Sequence, residues 1–314
     1  MLRIRVRPIL SAYGLKILCT ADLHLVPTYR DKVLDALGKE IEREEPDALI
    51  VAGDLATAAL ARSALGELRT LFPDGQIVLA LGNHDFWVNG DGAVTSTDEV
   101  IDRYWVPAAV AFGVQLLDRE TVWIGELPVV GGYGHYDYGF AWPGLRFDGR
   151  QITGEDYAAG GPPWPTKLRW RDFDQFPTGS NTPELATGQV HAIEARLNQV
   201  ERRSALIVLH TPPMGELLGI SQPWQKGLLL TGEQRDYAFF RAYLGNRAMG
   251  EMILRRRQQI QAVICGHTHR RVEPAQLDGF WGANIGSDYG RPRTLVLEVE
   301  GKGAAQSARD HRSY

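Results

Sequence analysis

The tetrapeptide Gly82-Asn83-His84-Asp85 places three polar side chains directly after the apolar run 77–81. Such a run is typical of a buried strand, and open α/β sheets bind their ligands at the carboxyl ends of strands. Asn83 could give a neutral oxygen to a metal ion, His84 could transfer a proton, and Asp85 could orient the His84 ring. We therefore predict catalytic roles for His84 and Asp85. Taken alone, the same tetrapeptide could also be a polar turn without a function.

Other side chains that can bind metals follow apolar runs elsewhere in the chain. They are Asp22, His24, Asp54, His210, His267 and His269. Five of the eight histidines follow a predicted strand in this way, which random placement would rarely produce. Cysteine is not among the candidates, which argues against a structural zinc site with thiolate ligands. Carboxylate, amide and imidazole ligands suit hard or borderline divalent ions.

The number of candidate ligands exceeds what one ion needs. Asn83 and the six residues after the other strands are too many for one tetrahedral ion. One shared carboxylate would allow two ions to lie about 3.5–4 Å apart, as they do in two-metal hydrolases. The residues alone therefore predict a dinuclear hydrolytic centre.

Repeats of a strand and a helix at the start of the chain predict a parallel α/β sheet. The strands there are predicted at 15–20, 47–52 and 77–81, with helices at about 29–44 and after Thr57. Short strands at 114–117, 121–124 and 128–132 predict an antiparallel section. The later helices are predicted at 183–202 and at 232–259, the second broken near Gly245, and the later strands at 205–209, 262–265, 272–277, 280–285 and 294–299.

We predict one domain over residues 15–300, with an N-terminal arm at 1–14 that carries an edge strand and a flexible C-terminal tail at 301–314. Two stretches are predicted to be cap-like insertions, at 134–183 and 212–230. The first is rich in Gly, Pro, Trp and Tyr without a regular period, and long irregular stretches are usually functional. Its residues His135 and Tyr136 are predicted to contact substrate. A glycine-rich turn with packed tyrosines is the alternative.

Composition narrows the class of protein. Hydrophobic residues make up 44% of the chain and charged residues 23%, which is typical of a globular protein. The net charge of −4 gives no general attraction to nucleic acid or to an anionic membrane, so we expect neither as a partner. Cys19 and Cys265 lie in apolar runs, which indicates buried thiols in a reducing compartment. No apolar run approaches the roughly 18 residues that suggest a membrane span, and these features together predict a cytoplasmic protein.

Five blocks of the sequence resemble, in order, the five motifs of the calcineurin-like metallophosphoesterase superfamily. They are Asp22-x-His24, Gly53-Asp54, Gly82-Asn83-His84-Asp85, His210 and Gly266-His267-x-His269. The resemblance spans residues 15 to about 299. It implies an α/β fold in which two mixed β-sheets flanked by helices form a four-layer αββα sandwich. It also implies one metal ion on Asp22, His24 and His269, a second on Asn83, His210 and His267, and Asp54 as the bridge.

The resemblance implies a hydrolase acting on phosphoric ester bonds. Two divalent ions, drawn from manganese, iron, zinc or nickel, would activate a water while His84 protonates the leaving oxygen. Protein phosphatases of this superfamily continue after Gly-Asp with Asp-Arg-Gly, whereas residues 57–59 here are Thr-Ala-Ala. We therefore expect a small phosphodiester, a nucleotide or a phosphomonoester as substrate. A DNA exonuclease and a non-catalytic scaffold with the same fold are the alternatives, and a homo-oligomer is left open.

Overall fold

Two six-stranded β-sheets form the centre of the protein. The computed structural model describes residues 3–6, 14–88, 92–177, 183–200, 204–220 and 232–299, with the backbone alone for 3–6. The strands of the first sheet lie in the order β1 (Arg3–Val6), β14 (Thr294–Val299), β2 (Leu15–Thr20), β3 (Ala48–Ala52), β4 (Gln76–Ala80) and β5 (Val114–Leu116). Strands β2 to β5 are parallel, and β14 is antiparallel to β2. Strand β1 occupies the edge beside β14, where the sequence predicted an edge strand.

The strands of the second sheet lie in the order β12 (Val272–Leu277), β13 (Phe280–Asn284), β11 (Ile260–Cys265), β10 (Ala205–Leu209), β7 (Leu127–Gly132) and β6 (Val122–Ile124). Its four central strands are parallel, and the two outer strands are antiparallel to their neighbours. A short hairpin of β8 (Arg146–Phe147) and β9 (Arg150–Gln151) stands apart from both sheets. Both large sheets are therefore mixed.

Helices flank the two sheets. The α-helices are α1 (Arg30–Glu44), α2 (Ala61–Leu71), α3 (Thr97–Val100), α4 (Val106–Phe112), α5 (Gly154–Ala158), α6 (Asp172–Gln175), α7 (Pro183–Gln199), α8 (Gly232–Phe240) and α9 (Arg247–Arg255). A π-helical stretch spans Ile101–Trp105, and 3₁₀ turns span Ala58–Leu60, His84–Phe86, Gly215–Leu218, Arg241–Tyr243 and Arg257–Gln259. In the described part of the chain, no helix is both long and apolar enough to cross a membrane.

The alternation of side chains along the strands produces four layers. In β3, Leu49 and Val51 pack in a core with residues of α1 and α2, whereas Ile50 packs in a second core shared with the other sheet. In β10, Val208 belongs to that shared core, and Ile207 faces a third core with residues of α7 and α9. The order helix, sheet, sheet, helix confirms the predicted αββα sandwich.

Helix α1 shows how the local sequence builds an outer layer. Val33, Leu37 and Ile41 are spaced for one helical face, and all three are buried against the first sheet. Full burial of such side chains contributes about 1.5–3 kcal/mol each. The helix ends where Glu45 adopts a left-handed conformation, with φ of 44°, and Pro46 follows.

An aromatic layer covers part of the sheet edge. We refer to residues 134–177 and 232–243 together as the cap. Its core includes Tyr136, Tyr157, Trp164, Phe239 and Tyr243, all buried in a cluster separate from the three sheet cores. Much of the first predicted insertion is therefore packed against itself and against α8.

A hydrogen-bonded capping contact joins the cap to α9. The carboxylate of Asp137 accepts hydrogen bonds from the amides of Arg247 and Ala248 at the start of that helix, at 3.1 and 2.8 Å. The Asn246 side chain caps the same helix through the Met249 amide and also donates to the carbonyl of His135. The cap is thus fixed to a helix that itself packs on the second sheet.

Two expectations about secondary structure are wrong. Strand β5 is a parallel neighbour of β4, so only β6 and β7 form an antiparallel pair in the section 114–132. Helical structure over 97–112 was not predicted. Ser96 caps its start through the Glu99 amide, and the π-helical stretch leads into α4, which carries Pro107 in its first turn. The Ser-x-x-Glu spacing was the missed signal.

Some segments of the predicted domain organisation fall on residues that the structure does not describe. The tail at 301–314 and residues 221–230 of the second insertion are outside the described residues. The boundaries of the domain and of its insertions therefore stay predictions. Cys19 and Cys265 are both free and buried.

Candidate metal centre

The carboxyl ends of five parallel strands from both sheets meet at one edge of the sandwich. Loops after β2, β3 and β4 come from the first sheet, and loops after β10 and β11 come from the second. Backbone hydrogen bonds tie neighbouring loops together, from Asp22 to the carbonyl of Gly53 at 3.0 Å and from Gly266 to the carbonyl of His210 at 2.9 Å. All seven predicted metal ligands lie in these loops, and the structure brings their side chains together.

Glycines before the ligands allow this close approach. A Cβ atom on Gly82 would lie 2.3 Å from an oxygen of Asp54, and one on Gly53 would lie 2.3 Å from a ring nitrogen of His210. Gly53 also has a φ of 83°, a backbone conformation that residues other than glycine rarely adopt. The glycines of the motif blocks are therefore required by the packing of the ligands themselves.

Five of the ligands have left-handed backbone conformations, with φ between 42° and 71°. They are Asp22, His24, Asp54, His267 and His269. This conformation costs an L-residue about 1–2 kcal/mol, and such strain concentrates at functional sites. The backbone strain therefore lies at positions that carry predicted metal ligands.

Three ligand atoms form a tight triangle that we call the inner cluster, made of Asn83, His210 and His267. The Asn83 oxygen lies 3.0 Å from Nε2 of His210 and 3.1 Å from Nδ1 of His267, and the two ring nitrogens lie 3.2 Å apart. Three atoms that each bind one ion at about 2.0–2.2 Å have separations of this size. The triangle matches the ligand set of a single cation.

Backbone carbonyls orient both imidazoles of the inner cluster. His210 donates from Nδ1 to the carbonyl of Ala52 at 3.0 Å, which leaves the lone pair of Nε2 towards Asn83. His267 donates from Nε2 to the carbonyl of Tyr243 at 2.9 Å, which leaves the lone pair of Nδ1 towards the same point. A second hydrogen bond of this kind is typical of histidines that bind metals.

Asp22, His24 and His269 form a second group that we call the outer cluster. The Nε2 atoms of His24 and His269 are 3.3 Å apart, and His269 lies 4.0 Å from an oxygen of Asp22. Asp54 lies between the two clusters, with one oxygen 3.3 Å from His210 and the other 3.6 Å from His24. Its carboxylate therefore faces both groups, as a bridging ligand would.

The donor set of both clusters fits divalent cations. One oxygen of Asp22 and Nδ1 of His269 are buried and have no hydrogen-bond partner within the described residues. Burial lowers the pKa of His24 and of His267 to about 3, so both rings are neutral near pH 7 and keep a lone pair for a metal. Burial also lowers the pKa of His210, but Asp54 outweighs this effect and raises it to about 9. Without a cation, Nε2 of His210 therefore carries a proton near pH 7, and a cation bound beside Asp54 would take the place of that proton.

His84 lies at the open side of the clusters. Its ring stacks on Trp87 at 3.7 Å and meets His24 edge-on at 4.5 Å, and Nε2 is 3.9 Å from an oxygen of Asp54. Burial lowers the pKa of His84 below its ordinary value. The imidazole is partly exposed, so it can reach both solvent and a molecule bound over the clusters.

Asp85 has a different set of partners from those expected. Its carboxylate is completely buried and accepts hydrogen bonds from the amides of Gly82 at 2.7 Å and Ala56 at 2.9 Å. The expected hydrogen bond to the His84 ring is not among its contacts with the described residues. Asp85 therefore holds the shape of the motif turn, and its predicted catalytic role stays a prediction.

His135 and Tyr136 lie under the site and are completely buried. The Tyr136 hydroxyl donates to a carboxylate oxygen of Asp172 at 3.2 Å. The centroids of the His135 and Tyr136 rings are 4.1 Å apart. Because both side chains are buried, the structure favours a role in packing against the site residues over direct contact with substrate. The substrate contact expected from the sequence stays a prediction.

The cap and the last loops contribute site residues that were not predicted. Tyr289 stacks on the rings of His24 at 4.5 Å and His269 at 4.9 Å, and nearly half of it is exposed. The exposed guanidinium of Arg171 lies 5.0 Å above the Trp87 ring. Asp172 hydrogen-bonds to Asn83. Arg171 and Asp172 lie in the irregular stretch 134–183, whose composition did not assign them a role, and Tyr289 lies outside that stretch.

A sequence model of the calcineurin-like phosphoesterases matches residues 15–271. The chain belongs to the calcineurin-like phosphoesterase family. The matched range contains all five motif blocks and both clusters, so the family predicted from the blocks is confirmed. This family is dimetal-dependent, and the clustered His and Asp side chains of this member are able to bind metals.

Solved structures show the same fold in distant relatives. Phosphopantetheinyl hydrolase (PptH) from Mycobacterium tuberculosis superposes with a TM-score of 0.62 at 20% identity, covering 96% of this chain and 94% of that one. A dimetal phosphatase from Danio rerio superposes with a TM-score of 0.51 at 14% identity, covering 90% and 91%. No curated protein matches the chain by sequence. At these identities the superpositions support the phosphoesterase fold alone.

Proposed function

We propose that this calcineurin-like phosphoesterase hydrolyses a small phosphate ester at a dinuclear metal centre. The observation that carries the proposal is the position of Asp54 between two clusters of ligands, with one oxygen facing each. Asn83, His210 and His267 would hold one cation, Asp22, His24 and His269 the other, and Asp54 both. Two divalent cations in such a site lower the pKa of a water and neutralise charge on the phosphoryl oxygens.

The residues around the clusters complete the chemistry. His84 is placed to protonate the leaving oxygen, because its ring is partly exposed beside both Asp54 and His24. Trp87 fixes the plane of the His84 ring by stacking on it. Arg171 would hold a phosphoryl oxygen or a second anionic group of the substrate, since in the described part of the chain its guanidinium forms no ion pair. It would thus supply a positive charge, as the arginine of Asp-Arg-Gly does in the protein phosphatases. Residues 57–59 of this chain, Thr-Ala-Ala, carry no such charge.

The shape of the entrance favours substrates with an exposed planar or anionic group. Tyr289 covers the rings of His24 and His269 and offers an aromatic surface beside the outer cluster. A nucleotide base could stack there, and a small phosphodiester could place its leaving group there. Phosphopantetheinyl esters are a third class to test, suggested by the name of the PptH structure.

A substrate panel tests the proposal directly. The purified protein would be stripped of metal, supplied with manganese, iron, zinc or nickel, and assayed against p-nitrophenyl phosphate, bis-p-nitrophenyl phosphate, cyclic nucleotides, a phosphopantetheinyl ester and duplex DNA. We expect metal-dependent hydrolysis of at least one small ester and none of DNA. Degradation of DNA alone would instead support an exonuclease. Binding of metal without hydrolysis of any ester would support a scaffold.

We keep the cytoplasm as the proposed location, because a reducing compartment is consistent with two buried free thiols.

A further inference from the structure

Asp172 is a buried carboxylate that belongs to the cap but contacts a predicted metal ligand. It begins α6, lies 89 positions from Asn83 in the sequence, and is only 1% exposed. One oxygen accepts from Nδ2 of Asn83 at 3.0 Å and from Nε1 of Trp87 at 2.8 Å. The other accepts from Nε1 of Trp170 at 2.9 Å and from the hydroxyl of Tyr136 at 3.2 Å. A buried carboxylate with four side-chain donors is held in one position.

The contact with Asn83 decides which end of its amide faces the inner cluster. An asparagine side chain presents an acceptor oxygen on one side and a donor NH₂ on the other, and only the oxygen can bind a cation. Because Asp172 accepts from Nδ2, the oxygen is directed towards His210 and His267, where it lies at 3.0 and 3.1 Å. A flipped amide would put two N–H groups in the place of the ligand.

All four donors to Asp172 are electrically neutral. Through its hydrogen bond to Nδ2, an ionised Asp172 polarises the Asn83 amide and makes the carbonyl oxygen on the far side a better ligand for a cation. No acidic residue takes part in the inner triangle itself, so this charge supplements that of Asp54.

The same part of the cap reaches a second ligand of the inner cluster. Trp170, a donor to Asp172, stacks on Tyr243 at 5.1 Å with an angle of 25° between the rings. The backbone carbonyl of Tyr243 accepts the hydrogen bond that orients His267. Asn83 and His267 are thus both oriented by groups of the cap. Within the described residues, by contrast, His24 contacts Asp54, His84 and Tyr289, and His269 contacts Asp22 and Tyr289, none of which belongs to the cap.

We propose that Asp172 is a positioning residue that sets the orientation of Asn83, and that through it the cap controls the affinity of the inner cluster for its cation. The inference rests on the proposed dinuclear centre. On this proposal the cap supplies groups that orient ligands of the inner cluster, in addition to covering the site. It also predicts that changes in the cap alter the two sites unequally.

Metal titration by calorimetry tests this without measuring turnover. The full-length protein is stripped with a chelator and titrated with Mn²⁺, as wild type and as Asp172→Asn. We expect the variant to bind one of the two ions about 10- to 100-fold more weakly, the usual effect of removing a residue that orients a metal ligand. The matched control is Asp236→Asn, because Asp236 also accepts an indole N–H in the cap, from Trp164 at 2.6 Å, and within the described residues has no hydrogen bond to a predicted metal ligand. We expect wild-type affinities for the control.

A double substitution separates positioning from general damage. In an Asn83→Ala background the side chain that Asp172 orients is gone, so adding Asp172→Asn should cause little further loss of affinity. An equal loss in both backgrounds, or in the Asp236→Asn control, would overturn the inference, as would two wild-type affinities in Asp172→Asn itself. If Asp172→Asn does not fold, Asp172→Glu takes its place with the same expectations, since it keeps the charge and displaces the carboxylate. A wild-type protein that binds no Mn²⁺ would instead contradict the proposed function.

Discussion

The inner cluster is buried on all sides, whereas the outer cluster is open to solvent at His269. His210 is completely buried and His267 almost so, and each ring is held by a hydrogen bond to a backbone carbonyl. In the outer cluster about a quarter of the His269 side chain is exposed, and its ring stacks on His24 and on the half-exposed Tyr289. The two imidazoles of the inner cluster are thus oriented by hydrogen bonds, whereas in the outer cluster Asp22 and His24 are buried and His269 is held by ring contacts that solvent can reach.

From this difference we expect the two proposed metal sites to have different roles. A site whose ligands are fixed on all sides holds its cation in one geometry, which suits a structural and electrostatic role. A site that opens to solvent can admit a substrate oxygen, and His84 and Arg171 lie on that same side. We expect substrate to enter over the outer cluster, and the cap to act on the inner one.

Asp54→Ala should have the largest effect, because its carboxylate faces both clusters. We expect both cations to be lost and hydrolysis to fall to the background rate. Metal content per chain, measured by mass spectrometry after passage over a chelating resin, checks this. The control is Asp35→Ala, which removes an exposed carboxylate paired with Lys39 on α1. Two ions still bound to Asp54→Ala would show that it is not the bridge.

His84→Ala tests the proposed general acid and leaves all seven predicted metal ligands in place. Loss of a general acid lowers kcat by about 10²- to 10⁴-fold, and we expect both cations to remain bound. The control is His191→Ala, which changes an exposed histidine of α7. Steady-state assays should use a substrate with a poor leaving group, where protonation matters most. An unchanged kcat on such a substrate would remove His84 from the reaction.

Arg171→Ala should affect binding of substrate more than the chemical step. A hydrogen bond to a charged group contributes about 1.5–3 kcal/mol, so we expect KM to rise roughly 10-fold or more while kcat and metal content change little. Arg169→Ala is the neighbouring control, because that side chain is paired with Asp174 on the surface. A lower kcat with unchanged KM would place Arg171 at the reacting phosphate instead of at the entrance.

That the candidate ligands would meet at one edge could be predicted from the sequence, because the position of each depends on a short segment. An apolar strand, a glycine and a polar residue together fix where a side chain such as Asp54 leaves the sheet. Parallel strands then bring these ends to one edge without further information. The four-layer order follows similarly from the alternation of side chains in strands such as β3.

The supporting residues could not be predicted because their contacts join distant and irregular segments. Asp172 reaches Asn83 across 89 positions through a stretch with no period, and Tyr243 acts on His267 through a backbone carbonyl, which no side-chain motif records. For Asp85, the neighbouring sequence was a poor guide to its hydrogen-bond partners, and its catalytic role stays a prediction. Its position beside His84 suggested a partnership, but two backbone amides occupy its carboxylate.

Asp156→Asn should have the smallest effect, and it tests whether any damage to the cap reaches the inner cluster. Asp156 accepts hydrogen bonds from Arg150 and from the amide of Thr153 at the start of α5, and the Arg150 hydrogen bond lowers its pKa to about 2. Because this pKa lies below the ordinary value, the ionised carboxylate stabilises the fold above about pH 4, and the stabilisation is lost as the pH falls through 2. Urea unfolding should show a free energy of unfolding about 0.5–1 kcal/mol lower than wild type at pH 7, with the difference shrinking below pH 4. Calorimetry at pH 7 should show Mn²⁺ affinities equal to wild type, in contrast to Asp172→Asn. If Asp156→Asn weakened the inner cluster as Asp172→Asn does, that cluster would be responding to the stability of the cap as a whole, and the special position of Asp172 would disappear.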